Sequence, residues 1–313
     1  MPEFAEAEGG AVVNAAIDLH THVECIEGGG KIRLHAEDMG QRLTLESPSQ
    51  LQYDGKLDLH KGALNMLPVT GGVEIISTSE VPAGSGLGAS GSLDVSLVTA
   101  LAHCRNETNY DRAEIAEMAY QLEAVELGLM GGRQDQYAAA HGGFQALGFG
   151  ADGVTVRSID LTADAVRELR SFVHVVYTGQ SHFSSDTHEA VWNAYRGGDA
   201  DVCDALKSIR DLAMDAEAAL AAGEWVRLAE VVDGNWKQQR RLDTTIATET
   251  SQAIEDAARA AGAIGLKAAG AGAGGCLVIF APPKMRQAVS ESVESAGGRA
   301  LSWGFDDRGV EVM

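Results

Sequence analysis

Twelve residues, Val81-Pro82-Ala83-Gly84-Ser85-Gly86-Leu87-Gly88-Ala89-Ser90-Gly91-Ser92, constrain this chain more than any others. They follow a β-like run, Val73 to Thr78, and precede a helix-like one, Leu93 to His103. A glycine-rich turn between a strand and a helix N-terminus presents unpaired backbone N–H groups to an anion, most often phosphate. A Walker-type loop needs Lys and then Ser or Thr after its last glycine. Gly88 is followed by Ala89-Ser90, which excludes that loop. Gly86 to Gly91 matches the dinucleotide pattern G-x-G-x-x-G, which should sit directly on the strand end with a second strand and an acidic residue about 20 residues on. Here Ser79 to Ser85 intervene, and Asp111 to Leu129 reads as another helix. A dinucleotide site, with the NAD binding it would bring, is therefore a poor match. A glycine turn without a ligand stays open on the motif alone.

The 313 residues suffice for one large or two medium domains with a substantial core. Asp and Glu number 45 against 24 Lys and Arg, a formal net charge of −21. That excess argues against nucleic acid or an anionic membrane as partner. An anionic substrate must then be held by a local cluster of donors and a metal ion. Cys25, Cys104, Cys203 and Cys276 are scattered without C-x-x-C pairing, as in a reducing compartment. No membrane-length apolar window and no secretory signal is present, so the expected location is the cytoplasm.

Strand-like runs lie at Ala11–Asp18, Thr21–Cys25, Lys31–Leu34 and Arg42–Glu46, then helices at Ser92–His103 and Asp111–Leu129. In the second helix, Ile115, Met118, Ala119, Leu122, Val125 and Leu129 recur at helical spacing and should face the core. Strands at Phe144–Phe149 and Phe172–Tyr177 flank a domain boundary placed between Ala151 and Ser171, giving domains 1–160 and 161–313. Mostly helical pattern follows at Asp186–Tyr195, Ala200–Ala222, Trp225–Asp233 and Thr248–Ala261.

Two further stretches carry chemistry. In Gly131-Gly132-Arg133-Gln134-Asp135-Gln136-Tyr137, a glycine turn opens a helical turn with Asp135 near its start. An Asp there can simply favour a helix N-terminus, or it can accept a hydroxyl proton as general base. Glu123 and Glu126 lie three apart, on one helix face. They form either a solvated acidic face or a carboxylate site for Mg²⁺. In the second stretch, Lys267 to Gly275, the glycines precede a strand, Cys276 to Phe280. They form a structural turn or allow close backbone approach.

Pro82, Gly86, Leu87, Gly88, Ala89 and Ser90 match, in order, the P-x-x-x-G-L-G-[SA]-S pattern of the GHMP superfamily of kinases (galactokinase, homoserine kinase, mevalonate kinase, phosphomevalonate kinase). With the Gly131–Ala139 run, Tyr177 to His182, the Lys267–Gly275 segment and the opening Pro2 to Asp18, the chain resembles this superfamily over nearly its whole length. It is most similar to the bacterial heptose-phosphate kinase branch. The resemblance implies a two-domain α+β fold, with a ribosomal-protein-S5-like N-terminal half and a ferredoxin-like C-terminal half. It implies an ATP- and Mg²⁺-dependent transfer of the γ-phosphoryl group to a sugar hydroxyl, here the anomeric hydroxyl of a heptose 7-phosphate. By the same resemblance Pro82, Gly84, Ser85, Gly86, Leu87, Gly88, Ala89 and Ser90 would wrap the ATP phosphates. Ser90 and Glu123 would serve the metal, with Glu126 as substitute. Asp135 would be the base, and Arg133, Tyr177, Gly179, His182, Gly272 and Gly274 would lie near the acceptor. Kinases of fucose or galactose, and a non-catalytic nucleotide or sugar-phosphate binder, are the alternatives. The partner is a small sugar or sugar phosphate, and a homodimer is one assembly open to the chain.

One feature departs from the resemblance. Family members begin with a strand, a basic-Pro segment and a Gly-Gly-Gly-Thr-Asp turn that contacts the sugar, and nothing before Pro2 supplies these. A protein of this length is expected to bind substrate weakly and to be less stable. Turnover equal to that of a longer chain carrying those segments would contradict the expectation.

Overall fold

Strand β5, Val73–Ser79, shows how the sheet at the start of the chain is made. Val73, Ile75 and Ser77 are buried, and the residues between them are less so. Alternation of this kind is what a strand with one covered face produces. The computed structural model describes residues 1–181 and 185–313. In chain order its principal elements are α1 (Pro2–Glu8), β1 (Gly10–Ala15), β2 (Thr21–Glu27), β3 (Ile32–Ala36), β4 (Gln41–Leu45), α2 (Asp58–Met66), β5, α3 (Ala89–Cys104), α4 (Arg112–Gln121), α5 (Gln134–His141), β6 (Phe144–Gly150), β7 (Gly153–Ser158), α6 (Ala163–Phe172), β8 (Val173–Tyr177), α7 (Ser185–Arg196), α8 (Ala200–Ala222), α9 (Trp225–Leu242), α10 (Glu249–Ala260), β9 (Gly265–Ala268), β10 (Cys276–Phe280), α11 (Arg286–Ser295) and β11 (Arg299–Ala300). The α+β class expected from the sequence is the one observed.

These elements form two compact units. The first takes in Leu19–Pro82, Gly88–Gly142 and Asp307–Met313. Its sheet has the order β2-β5-β3-β4, with β3 and β5 parallel and the other pairs antiparallel. Leu34 pairs with Ile75, and Ile32, Leu34 and Ala36 share the buried face with the inward side chains of β5. Helix α3 brings Val95, Leu97, Val98, Leu101 and Ala102 into the core. Asp111 and Glu114 close a reciprocal cap at the start of α4, which satisfies two otherwise orphaned donors. The buried Lys61 of α2 bonds Asp54 at 2.5 Å, Asp58 at 3.0 Å and the Gln52 carbonyl at 2.8 Å. It ties the preceding loop to the helix.

The second unit takes in Met1–Asp18, Ala83–Leu87 and Gly143–Asp306. It carries two antiparallel sheets, β1-β6-β7 and β11-β8-β10-β9. Trp236, Ile246, Ile254, Leu266, Leu277, Ile279, Val289 and Val293 form one core, packing β9 and β10 with α9, α10 and α11. The Trp236 indole N–H donates to Glu255 at 2.9 Å, which satisfies a buried polar group inside that core. Compactness does not follow chain order, since β1, β6 and β7, all before residue 160, belong with the C-terminal elements.

Several elements differ from the sequence reading. Helix α1 and helix α2 lie in stretches not read as helical, and α2 starts behind Leu57, whose φ of 55° is left-handed. The expected long helix Asp111–Leu129 ends at Gln121, and Leu122–Glu126 winds as a π-turn, with Leu127 N bonded to Leu122 O. The wider turn shifts the register. Ile115, Ala119 and Leu122 are buried as expected, but Val125 and Leu129 are exposed rather than core-facing.

Two buried histidines set a pH signature. His60 in the first unit and His174 in the second are each pushed down to about 4 from 6.5, mainly by burial. The unfolded chain therefore takes up protons that the native state refuses, and stability is lost as pH falls from 6.5 toward 4. Burial of Asp94 acts with the opposite sign, because its carboxyl is pushed well above the usual range. Comparison of His60→Gln with the parent chain isolates the histidine. The urea midpoint of the variant should fall less steeply between pH 6.5 and 4, and an unchanged slope would contradict the assignment.

Candidate active site

The glycine loop enters α3 through Gly88, which sits at the helix cap with φ 76° and no side-chain hydrogen bond closing the end. First-turn N–H groups of such a helix point outward, with the positive end of the dipole behind them. Ser90 is exposed in this turn. Ser85 is buried, and its hydroxyl accepts from Leu87 N at 3.4 Å. The chain passes from the second unit to the first between Leu87 and Gly88.

In the second unit the loop lies directly on the Ala269–Cys276 segment. A side chain at Gly86, whose φ is 74°, would meet the Ala269 carbonyl at 2.6 Å. One at Gly275 would meet the Ser85 carbonyl at 2.5 Å. Cys276 N donates to Ser85 O at 2.8 Å, joining the two backbones. The glycines of this segment are thus small because another backbone rests on them, the close-approach alternative left open above. Thr178 extends the arrangement by donating its hydroxyl to Gly275 O at 2.8 Å, and Gly275 N donates to Gln180 O at 2.8 Å. Gly272 packs on Ile246, and Gly179 and Gly274 both have positive φ. Tyr177 places its hydroxyl 3.2 Å from Ser181. His182 lies outside the described residues.

In the first unit, Asp135 stands in the first turn of α5, against the first turn of α3. A Cβ on Gly91 would come within 2.8 Å of Asp135 Cβ, and one on Gly88 within 3.4 Å. Only residues without side chains let the two helix starts meet. The next residue, Gln136, is fully buried and donates its amide N–H to Glu123 Oε2 at 2.7 Å. Asp94, one turn beyond Ser90 on α3, is fully buried beside this pair. Burial first, and then the Glu123 charge, push its carboxyl well above the usual range. Ser90 and Asp135 therefore stand at the start of α3, and Glu123 is tied to the residue after Asp135 through Gln136.

Glu126 goes elsewhere. Its carboxylate is engaged by the Tyr53 hydroxyl, with the Asn65 amide at 3.5 Å. Arg133 is also occupied, bonding Glu117 through two nitrogens at 3.0 and 3.2 Å and stacking 3.9 Å over the Tyr120 ring. Sequence reasoning placed Thr178 near the acceptor, within the run from Tyr177 to His182, but gave no role to Asp94 or Gln136. For Asp94 a signal existed, an acidic residue on a helix turn otherwise carrying Leu93, Val95 and Leu97.

The family model for the GHMP kinases N terminal domain matches residues 58–143, and that for the GHMP kinases C terminal domain matches 216–299. Together they take in more than half of the chain. The chain belongs to the GHMP kinase family. It is an enzyme of the phosphotransferase class with an alcohol group as acceptor. The D-glycero-alpha-D-manno-heptose 7-phosphate kinase of Campylobacter jejuni is 29% identical, the match covering 98% of this chain and 92% of that one. The mevalonate kinase of Pyrococcus abyssi is 26% identical, with 99% and 93% covered. A crystal structure of a D-glycero-D-manno-heptose 1-phosphate kinase from Bacteroides thetaiotaomicron superposes with a TM-score of 0.80 at 26% identity, covering 99% and 93%. Both family-model matches stop short of residue 160 or begin after it.

The packing at Gly86 makes a direct prediction for this kinase. Gly86→Ala must strain both φ and the Ala269 contact. Because the loop must move to relieve about 1–3 kcal/mol of backbone strain, affinity for a non-hydrolysable ATP analogue should fall about 5- to 150-fold. Calorimetric titration showing unchanged affinity would contradict the reading of this segment as the phosphate loop.

Proposed function

We propose that this GHMP kinase is a sugar kinase that transfers the γ-phosphoryl group of ATP to the anomeric hydroxyl of a heptose 7-phosphate. The observation that carries the reading is the placement of Asp135 against the first turn of α3, through Gly88 and Gly91. A carboxylate there can accept a proton beside phosphates cradled by that helix start. The overall similarity to a heptose 7-phosphate kinase, noted above, favours that acceptor over fucose or galactose.

In this mechanism Pro82, which has no N–H of its own, opens the loop, and Gly84, Ser85, Gly86, Leu87, Gly88, Ala89 and Ser90 hold the ATP phosphates through backbone N–H groups. Asp135 takes the hydroxyl proton of the sugar as its oxygen forms the new P–O bond. The bond from the γ-phosphorus to the bridging oxygen breaks, and ADP leaves with that electron pair. The donor set fits Mg²⁺. Ser90 and Glu123 are hard oxygen ligands, and Mg²⁺ usually takes one or two carboxylates together with substrate phosphates and water. Bound there, Mg²⁺ would neutralise phosphate charge that this acidic protein could not otherwise offset. Glu126, held by Tyr53, is the weaker candidate for the metal. Arg133, engaged by Glu117, acts as a brace for the turn before Asp135. Tyr177, Gly179, His182, Gly272 and Gly274 are assigned to the acceptor side.

Along the chain we place the functional halves at 1–160 and 161–313. No helix among the described residues is long and apolar enough to cross a membrane. A cytoplasmic location, a small-molecule partner rather than nucleic acid, and a homodimer as one possible assembly complete the reading.

An ATP/Mg²⁺ assay across a sugar panel, with Asp135→Asn beside the parent, tests it. Heptose 7-phosphate should give the highest turnover, and Asp135→Asn should lower kcat about 100-fold or more. Undiminished turnover in the variant would remove Asp135 as base. Binding of ATP without transfer to any sugar would instead support the non-catalytic alternative.

A further inference from the structure

The segment from Ala269 to Cys276, on which Ser85 and Gly86 rest, consists of four glycines, three alanines and a cysteine. Apart from the Cys276 thiol it carries no polar side chain, and glycine leaves a backbone more freedom than any other residue. What holds it comes from outside. Thr178, one residue past β8, is buried and donates its hydroxyl to Gly275 O at 2.8 Å. Its own N–H donates to the same oxygen at 2.9 Å. Gln239, in the last turn of α9, is also buried and donates its side-chain N–H to Gly270 O at 2.9 Å. All of these residues lie in the second unit.

The carbonyl that Thr178 holds is half of a planar group. Gly275 C=O and Cys276 N–H belong to one peptide unit, which turns as a rigid body. That N–H is the donor to Ser85 O at 2.8 Å. A bond on one edge of the plane therefore sets the direction of the bond on the other. The packing leaves little slack, since a side chain at Gly275 would lie 2.5 Å from Ser85 O and one at Gly270 3.2 Å from Gly86 Cα. A methyl in place of the hydroxyl would set a carbon where the oxygen now stands, 2.8 Å from Gly275 O. Carbon and carbonyl oxygen usually keep about 3.3 Å or more. The peptide must then turn or withdraw, and Ser85 with it.

We propose that Thr178 is a positioning residue for the phosphate loop: its hydroxyl fixes the Gly275–Cys276 peptide plane, whose N–H holds Ser85. Gln239 fixes the other end of the segment at Gly270, beside Gly86. Neither side chain touches nucleotide or sugar in this scheme. The role separates Thr178 from its neighbours Tyr177 and Gly179, which are assigned to the acceptor side. What Thr178 contributes is a hydroxyl at a fixed place. Serine should therefore serve, and valine, of nearly the same shape, should not. The inference rests on the reading of Gly84 to Ser90 as the loop that holds the ATP phosphates.

The test titrates the full chain with a non-hydrolysable ATP analogue by calorimetry, beside steady-state KM for ATP and for heptose 7-phosphate. Thr178→Val should weaken the analogue, and raise KM for ATP, on the order of 10-fold, with KM for the sugar phosphate unchanged. Thr178→Ser should bind the analogue like the parent. Gln239→Met, which lacks the amide, should also weaken it, and carries the test if Thr178→Val fails to fold by circular dichroism. A raised KM for the sugar phosphate with parent-like analogue affinity in Thr178→Val would overturn the proposal, because Thr178 would then be an acceptor contact. Equal loss in Thr178→Ser and Thr178→Val would overturn it as well, since the hydroxyl would not be the operative group. Gly86→Ala separates the two levels of the argument. If that variant binds the analogue like the parent, the phosphate-loop reading falls and takes this proposal with it. If Gly86→Ala weakens binding while folded Thr178→Val does not, only the role of Thr178 falls.

Discussion

The contact on which the site depends is the one between the first turns of α3 and α5, where the space a side chain at Gly91 would fill is taken by Asp135. Two helix starts are hard to bring together, because their positive ends repel and each needs partners for its N–H groups. A carboxylate at the junction eases both problems. Here Asp135 lies in the opening turn of its own helix and beside the opening turn of another. The price is a residue without a side chain at position 91, and the benefit is a carboxylate held by the backbones of two helix starts.

The second glycine packing is independent of the first. It lies in the other unit, where Ser85 and Gly86 rest on Ala269 to Cys276 and share a backbone hydrogen bond with it. The middle of the loop, Ala83–Leu87, belongs to the second unit, and both flanks, up to Pro82 and from Gly88, belong to the first. Around α3 the acidic side chains are not simply a solvated face. Glu123 accepts from Gln136, Glu126 from Tyr53, and Asp94 is buried with its charge disfavoured. In a protein with a formal charge of −21, specific bonds thus decide which of these carboxylates remain available.

Much of this was legible in the sequence, for physical reasons that differ by element. The loop could be recognised because glycine spacing and the strand-to-helix setting restrict what it can bind, and the matches over residues 58–143 and 216–299 agree with the family it pointed to. The α+β class came with that family resemblance, and strand runs such as Val73 to Thr78 agree with it. Helix α2 was hidden because its start is a left-handed leucine, Leu57, and its buried cation Lys61 breaks the apolar pattern. The end of α4 was misplaced because a π-turn leaves no compositional mark, so Val125 and Leu129 kept the spacing of core residues while facing solvent. The partners of Arg133 and Glu126, Glu117 and Tyr53, are set by tertiary packing that no local pattern encodes.

The central claim is that the missing side chain at position 91 places the base. Steady-state kinetics of Gly91→Ala with ATP and heptose 7-phosphate address it directly. The added methyl must displace Asp135 or the α5 backbone, since its nearest contacts would be Asp135 Cβ at 2.8 Å and Gln136 N at 3.1 Å. A misplacement approaching 1 Å lowers turnover on the order of 100-fold. The account predicts that loss in kcat in a protein that still folds and still binds ATP. Parent-like kcat in folded Gly91→Ala would contradict it.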